Sequence, residues 1–224
     1  MQPIGVIRND FKEKFGVPRQ SGRADLPAKI YFYPPYDCEE AFRGIEEFSH
    51  LWLLFDFSKA HRTEFSPTVR PPRLGGNKRV GVFASRSPFR PNPIGLSCVR
   101  LVGVEKGENG GVALVVSGAD LLDGTPILDI KPYIPYADCK IDATGSYAEE
   151  HRLDNLSVCF PPALLEMIPP EKRKGLTECL ADDPRPSYQD DPTRVYGMKF
   201  GEFDIQFKVE NGILTVTNVK TLGN

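Results

Sequence analysis

The amino-acid sequence predicts a mainly β fold, with a β-barrel in residues 1–140 and a small α+β domain in residues 141–224. Before residue 140, seven short segments are rich in Val, Ile, Leu and Phe and are bounded by Gly, Pro, Asp or Asn, and strands spaced in this way are typical of a barrel. After residue 140 the pattern changes to two helical segments and a hairpin. A chain of 224 residues is long enough for one domain and a smaller companion.

The predicted strands of the first domain cover most of its apolar residues. They are residues 3–8, 29–33, 51–57, 80–84, 96–104, 112–117 and 126–130. Residues 51–55 are almost wholly apolar and predict a buried central strand, in which Trp52 packs in the core. Residues 106–111, rich in glycine, predict a hairpin loop.

One helix is predicted early in the chain, at residues 37–48. Asp37 is a candidate N-cap, and Glu40 follows three residues later as in a capping box. The apolar positions of this segment recur at helical spacing; they are Ala41, Ile45 and Phe48. The segment therefore predicts an amphipathic helix inserted between strands.

The second domain is predicted from its local signals. Residues 162–168 and 171–180 are typical of helices, and residues 203–219 of a hairpin whose turn is Asn211-Gly212, the dipeptide that favours a type I′ turn. Residues 181–192, rich in Asp and Pro, predict an ordered loop that contacts a partner.

Composition and cysteine usage narrow the class of protein. The chain is 40% hydrophobic and 26% charged, and its longest apolar stretch, residues 50–57, is far shorter than a membrane-spanning helix. We expect no membrane association, no signal peptide and a cytoplasmic location. The five cysteines are widely spaced and distant from the three histidines, which predicts reduced thiols and no metal site.

Positive charge is concentrated in one part of the chain. Residues 59–100 hold nine basic residues and one acidic residue, a local charge of +8 in a chain whose net charge is −2. Such a block favours an anionic partner, with nucleic acid the first candidate. The alternative is a solvated basic face without a partner.

Several common enzyme signatures are absent from the sequence. It contains no Gly-x-Gly-x-x-Gly turn of a dinucleotide-binding fold, and residues 74–79 lack the Gly-Lys-Ser/Thr order of a P-loop. The Gly-x-Ser-x-Gly motif of acyl hydrolases and the zinc-deaminase signature are also missing. These absences argue against the usual nucleotide-binding and hydrolase classes.

The segment 83–97 is too polar and too rich in proline for a core. It places Arg86 and Arg90 on a loop stiffened by prolines, where each guanidinium group can bind a carboxylate or phosphate bidentately. The alternative is a structural loop whose arginines cap carbonyls or pair with Asp120 and Asp123. The sequence leaves both interpretations open.

The chain resembles the TrmO (TsaA-like) family through long, ordered motifs. These are residues 4–8, 14–20, 48–52, 70–77, 83–97, 120–133 and 183–188. The resemblance spans most of the chain. It implies a single-sheet β-barrel methyltransferase that uses S-adenosylmethionine, works as a homodimer with the donor near a subunit boundary, and methylates threonylcarbamoyl-adenosine beside the anticodon of threonine tRNA.

The resemblance also implies site residues. The donor pocket is expected to contain Pro18, Arg19, Gln20, Phe57, Ser58, Lys59, Arg86, Leu96, Thr125, Pro126, Ile127 and Leu128. Contacts with tRNA are expected from the basic block and the second domain, at Arg70, Arg73, Lys78, Arg90, Arg185 and Tyr188.

The proton of the attacking amine requires an acceptor, and three carboxylates are candidates. Asp120, Asp123 and Asp129 could serve if they face the pocket, although each is also suited to a turn or to pairing with arginine. An aromatic base platform at residues 31–33 is a further possibility, but alternation along a strand favours core packing there. Two alternative functions stay open: a non-catalytic module that binds S-adenosylmethionine or RNA, and a methyltransferase with another substrate.

Overall fold

The computed structural model describes residues 1–71, 78–107, 110–150, 155–185 and 191–223. Its strands are β1 (Gly5–Arg8), β2 (Pro27–Phe32), β3 (His50–Asp56), β4 (Thr68–Val69), β5 (Val80–Gly81), β6 (Ile94–Lys106), β7 (Val112–Ser117), β8 (Pro126–Pro132), β9 (Ser157–Cys159), β10 (Tyr196–Phe200), β11 (Phe203–Glu210) and β12 (Ile213–Thr221). The α-helices are α1 (Pro135–Asp138), α2 (Tyr147–Glu150), α3 (Pro162–Leu165) and α4 (Pro170–Ala181). The prediction of a mainly β fold is confirmed.

Six antiparallel strands pair in a closed ring, in the order β1, β2, β7, β6, β3, β8 and back to β1. Successive side chains of a strand lie on opposite faces, so every second residue enters the interior. In β3, Leu51, Leu53 and Phe55 are buried in this way, while the residues between them lie on the outer face. The ring therefore encloses the first hydrophobic core.

The second core lies between a four-stranded sheet and helix α4. The sheet has the order β10, β11, β12, β9, and its buried residues include Phe200 and Phe207, which pack with Leu176 and Leu180 of the helix. Residues from the first part of the chain, such as Phe11 and others between β1 and β2, belong to this core as well. The segment between β1 and β2 thus leaves the ring and packs against the second sheet.

Gly16 marks the closest approach of that segment to the second sheet. Its φ is +91°, and a Cβ at this position would lie 2.2 Å from the sulfur of Met198 in β10. A side chain is therefore excluded both by the left-handed backbone and by the space. The contact fixes the following residues, including Gln20, at the junction of the two cores.

The prediction of a helix at residues 37–48 is wrong. The structure has two short 3₁₀ turns, Glu39–Phe42 and Ile45–Glu47, separated by Gly44 with a φ of 85°. Cys38, not Asp37, precedes the first turn, and no side-chain cap bond is made there. A left-handed glycine ends a helix, so the apolar spacing is divided between two turns.

Other local predictions meet mixed outcomes. The hairpin turn at Asn211-Gly212 is confirmed, with φ angles of 49° and 74°. The strand predicted at residues 80–84 ends at Gly81 and continues as a 3₁₀ turn, Val82–Ala84. Part of the predicted loop at residues 106–111 lies outside the described residues.

Trp52 is not a core residue, which corrects the expectation for the central strand. It lies on the outer face of β3, where its ring packs 5.6 Å from that of Tyr133 and its indole N–H donates to Asp138. An indole N–H needs a hydrogen-bond partner, and the outer face supplies one.

None of the helices formed by the described residues is long and apolar enough to cross a membrane.

Candidate functional site

An open cleft of about 2320 Å³ lies between the segment that follows β1, the segment between β3 and β6, and the end of helix α4. It is lined by residues 14–20, by much of 62–91, by residues 144–148 and by residues 182–185. Ligand pockets usually measure about 300–1,000 Å³. The cleft can therefore hold a small molecule and part of a macromolecule together.

Arg86 lines the cleft and belongs to a polar cluster with Asp120, which is not itself among the residues that line the cleft. The Arg86 guanidinium donates to the side-chain carbonyl of Gln20 at 2.6 Å and lies close enough to Asp120 to act on its charge. Asp120 accepts hydrogen bonds from the Ser97 hydroxyl and from the backbone of Ser21. Strand β6, the loop after β7 and the segment after β1 each contribute to this cluster.

The environment of Asp120 changes its acidity. Burial raises the pKa of this carboxyl above its ordinary value, against the opposing effects of the Ser97 hydroxyl, backbone N–H groups and Arg86. A carboxylate whose pKa is raised accepts a proton more readily at neutral pH than an exposed one. Asp120 therefore has the chemical character of a proton acceptor.

The loop that carries Arg86 is held by its own side chains. The guanidinium of Arg90 donates to the backbone carbonyls of Ser85 and Ser87, at 3.1 and 3.4 Å. The Ser85 hydroxyl donates to Val82, and the ring of Phe89 is covered by Arg62 at 3.6 Å from the ring centre. Arg90 therefore caps backbone carbonyls of its own loop, as the structural interpretation of the sequence expects. Arg86 instead donates to the side chain of Gln20.

Arg19 connects the cleft to the residues that follow helix α4. Its guanidinium donates to the backbone carbonyls of Asp183 and Arg185, at 2.8 and 2.9 Å, and its backbone N–H donates to Asp182. Asp182 also accepts from Arg23 at 2.8 Å. The side chain of Arg19 is accordingly occupied in joining two segments, and its neighbour Gln20 is the residue that meets Arg86.

Six of the nine basic residues between 59 and 100 line the cleft: Arg62, Arg70, Lys78, Arg79, Arg86 and Arg90. Arg70, Lys78 and Arg79 are exposed and form what we call the basic rim. Two residues expected to contact tRNA, Arg73 and Tyr188, lie outside the described residues. Arg185 lines the cleft, but its side chain is 11% exposed and its guanidinium pairs with both oxygens of Asp183.

Most of the other residues expected in the donor pocket are not among those that line this cleft. Phe57, Ser58 and Lys59 follow β3, and Phe57 donates its N–H to Pro93 and packs against the ring core. The Thr125 hydroxyl donates to Leu122 at 2.7 Å, and Ile127 is fully buried in the core. Leu96 is 54% exposed on the outer face of β6. Pro18 lines the cleft, whereas Pro126 and Leu128 belong to β8.

Asp123 and Asp129 have structural partners. Asp123 accepts from the backbone N–H of Asn9 and pairs with Lys12 at 2.8 Å and Arg8 at 3.8 Å. Asp129 pairs with Lys131 at 2.9 Å on the ring. Asp120, the third candidate carboxylate, has a raised pKa, and the charge of Arg86 acts on it.

Sequence reasoning missed several residues of the site. Ser97, which donates to Asp120, was not singled out, and neither were Phe65 and Phe83, whose rings are exposed in the cleft. The signal for the two rings is their position: apolar aromatic residues inside a strongly basic segment. Across the described ranges, no group of three or more His, Cys, Asp or Glu side chains is arranged to hold a metal ion.

Two family models match the chain. The model described as the tRNA-methyltransferase O N-terminal domain matches residues 6–139, and that described as the TrmO C-terminal domain matches residues 155–222. Together they cover most of the sequence, including every segment that lines the cleft except a few residues between the two models.

Individual relatives agree with the family models. The chain is 43% identical over 217 residues to a tRNA (adenine(37)-N6)-methyltransferase of Escherichia coli, covering 93% of this chain and 92% of that protein. It is 42% identical over 224 residues to a Pseudomonas aeruginosa protein provisionally named an S-adenosylmethionine-dependent methyltransferase, covering 92% and 91%. A crystal structure of TrmO from P. aeruginosa superposes with a TM-score of 0.78 at 36% identity, covering 98% of this chain and 95% of the other.

Proposed function

The chain belongs to the tRNA-methyltransferase O family, and we propose from this premise that it transfers a methyl group from S-adenosylmethionine to the exocyclic N6 amine of adenine 37 in tRNA. The observation that carries the proposal is the hydrogen bond of Arg86 to Gln20 in a cleft with a basic rim, with the carboxyl of Asp120 near enough for the charge of Arg86 to act on it. We propose that the ring of six strands is the barrel of the methyltransferase.

The residues around Arg86 suit the donor. S-adenosylmethionine carries a carboxylate, and Arg86 offers guanidinium N–H groups on a loop that Arg90 holds in place. The side-chain carbonyl of Gln20 accepts from Arg86, which orients the amide N–H₂ of Gln20 as a further donor. When bound, S-adenosylmethionine supplies an electrophilic methyl group.

Asp120 would handle the proton of the reaction. As the N6 nitrogen forms its bond to the methyl carbon, the bond from that carbon to sulfur breaks, and one N–H proton of the amine must leave. The Asp120 carboxylate, with its pKa raised by burial, would accept this proton directly or through one water. The Ser97 hydroxyl and the backbone N–H of Ser21 hold the carboxylate in position, and Arg86 acts on it through its charge.

The finer substrate is also a proposal. We propose that the adenine already bears a threonylcarbamoyl group and belongs to threonine tRNA, as the family resemblance implies. The added threonyl group brings another carboxylate, which suits a cleft lined by Arg62, Arg70 and Lys78.

We also propose that residues 1–140 and 141–224 are two domains, and that the segment between β1 and β2 packs on the second of them. We propose a cytoplasmic location for the protein.

Labelled methyl transfer tests this function. Purified protein, labelled S-adenosylmethionine and threonine tRNA with or without threonylcarbamoyl-adenosine are combined, and the product nucleosides are identified by mass spectrometry. We expect label at N6 of adenine 37 in the modified tRNA. Label on unmodified tRNA would widen the substrate, label on another nucleoside would change the assignment, and donor binding without transfer to either RNA would favour a non-catalytic module.

We propose that the protein is a homodimer whose donor site is completed at the subunit boundary. The support is an apolar outer face on β3 and β6, where Leu54 pairs with Leu96 and Trp52 lies beside them. Exposed apolar patches on soluble proteins often mark interfaces. Sedimentation equilibrium should give twice the 25.0 kDa of one chain. A single-chain mass across the assay concentrations would remove this part of the proposal.

A further inference from the structure

Two phenylalanine rings stand exposed inside the most basic part of the cleft. Phe65 is 62% exposed and Phe83 is 75% exposed, and both line the same cleft as the basic rim. Covering an exposed ring removes apolar surface from water, which is favourable. A third ring, that of Phe89, is already covered by Arg62, so the two exposed rings are those available to a partner.

The backbone holds both rings at one end of a two-stranded arm. Thr68 of β4 pairs with Gly81 of β5, and the next contact along the arm is the hydrogen bond from Val82 N–H to Pro67 at 2.9 Å. Phe65 lies two residues before Pro67, and Phe83 is the residue after Val82, so the two rings flank this hydrogen bond. Val82 is buried, and its carbonyl accepts from the Ser85 hydroxyl. Phe83 is therefore presented from an anchored turn that leads directly to Arg86.

The cations of the basic rim continue along the same arm. Arg70 follows β4, while Lys78 and Arg79 precede β5, and the Arg79 guanidinium donates to the Thr68 hydroxyl at 3.3 Å. Aromatic faces beside a track of positive charge are the combination that binds single-stranded nucleic acid, because phosphates meet the cations while unpaired bases stack on the rings. A purely apolar protein partner would instead bury these cations at a cost.

We propose that Phe65 and Phe83 form a stacking platform for unpaired bases of the RNA substrate, next to the base that is methylated. The proposal rests on the proposed function, since it takes the cleft to be the RNA site. It assigns the two rings a role distinct from that of the basic rim: the rim contacts phosphates, and the rings hold loop bases unstacked from one another, so that the target amine can enter the site near Arg86 and Asp120.

Binding of a fluorescently labelled anticodon stem–loop tests the platform. We expect Phe83→Ala and Phe65→Ala each to weaken the Kd about five- to tenfold, with the slope of log Kd against log salt unchanged because no charge is lost. Phe83→Trp should retain affinity. Arg70→Ala should instead reduce the salt slope by about 1. Phe48→Ala, an exposed ring outside the cleft, is the matched control and should bind as the wild type does.

The outcomes separate this proposal from the proposed function. Wild-type methyl transfer to tRNA is measured in parallel, and its absence counts against the function rather than the platform. If the wild type is active but both alanine variants bind the stem–loop normally, the platform is overturned. The same holds if Phe83→Ala changes the sedimentation mass and leaves RNA affinity intact, because the ring would then belong to an interface between copies.

Discussion

Replacing Asp120 with Asn should lower kcat for methyl transfer by about 10²- to 10⁴-fold, the usual contribution of a positioned proton acceptor. Asn keeps the side-chain oxygen that accepts from Ser97, but its amide cannot take the proton of the attacking amine. Donor and tRNA affinities should change little. Single-turnover rates, together with calorimetry for the donor, separate the chemical step from binding.

The effect of pH on activity and stability has a definite sign at this residue. The carboxylate is the active form, so wild-type activity should rise as pH increases through the raised pKa of Asp120. A carboxyl with a raised pKa binds its proton more tightly in the folded state, so its stabilising contribution is present at low pH and is lost as pH rises through the folded pKa. At neutral pH Asp120→Asn should therefore leave the Tm unchanged or raise it.

Two other aspartates supply matched controls. Asp123→Asn breaks the pairs with Arg8 and Lys12, and Asp129→Asn breaks the pair with Lys131, yet neither carboxylate lies beside Arg86. Both variants should keep kcat within a fewfold of wild type. If Asp120→Asn retains wild-type activity, or if Asp123→Asn loses as much, the assignment of the proton acceptor is wrong.

The comparison of sequence with structure shows which signals are local. Strands β3, β7 and β8 and the turn at Asn211-Gly212 were predictable, because apolar runs and turn dipeptides act over a few residues. The 3₁₀ turns at 39–47 were not, since Gly44 interrupts a spacing that otherwise favours a helix. The packing of Trp52 against Tyr133 on the outer face joins residues 81 positions apart, so no pattern near Trp52 in the sequence predicts it.

The site was predictable as a set of motifs but not as a geometry. Arg86, Gln20 and Asp120 were each singled out, and the fold brings them together from three separate segments. Choosing Asp120 over Asp123 and Asp129 required knowledge of burial and of ion pairs across the fold. The pairing of Arg185 with Asp183 likewise becomes visible once the chain is folded, and it reduces the charge that Arg185 can offer to RNA.

Replacing Arg19 with Lys should affect stability and tRNA binding together. The guanidinium of Arg19 donates to the carbonyls of Asp183 and Arg185, whereas an ammonium on a flexible stem cannot reproduce the planar geometry. Loss of these contacts should lower the free energy of unfolding by about 2 kcal/mol. It should also release residues 183–185 from the cleft and raise the tRNA Kd about thirtyfold, with little change in salt slope because the charge is retained.

Arg173→Lys is the matched control for Arg19→Lys. Arg173 also donates to two backbone carbonyls, those of Ile168 and Glu166, at 2.8 and 3.2 Å, but it lies in helix α4 and does not line the cleft. We expect a similar loss of stability, measured by urea unfolding, and unchanged tRNA affinity. If both variants weaken tRNA binding equally, the effect is general destabilisation. Weaker binding in Arg19→Lys alone would identify Arg19 as the residue that positions the second domain against the RNA site, a role separate from contact with the methyl donor.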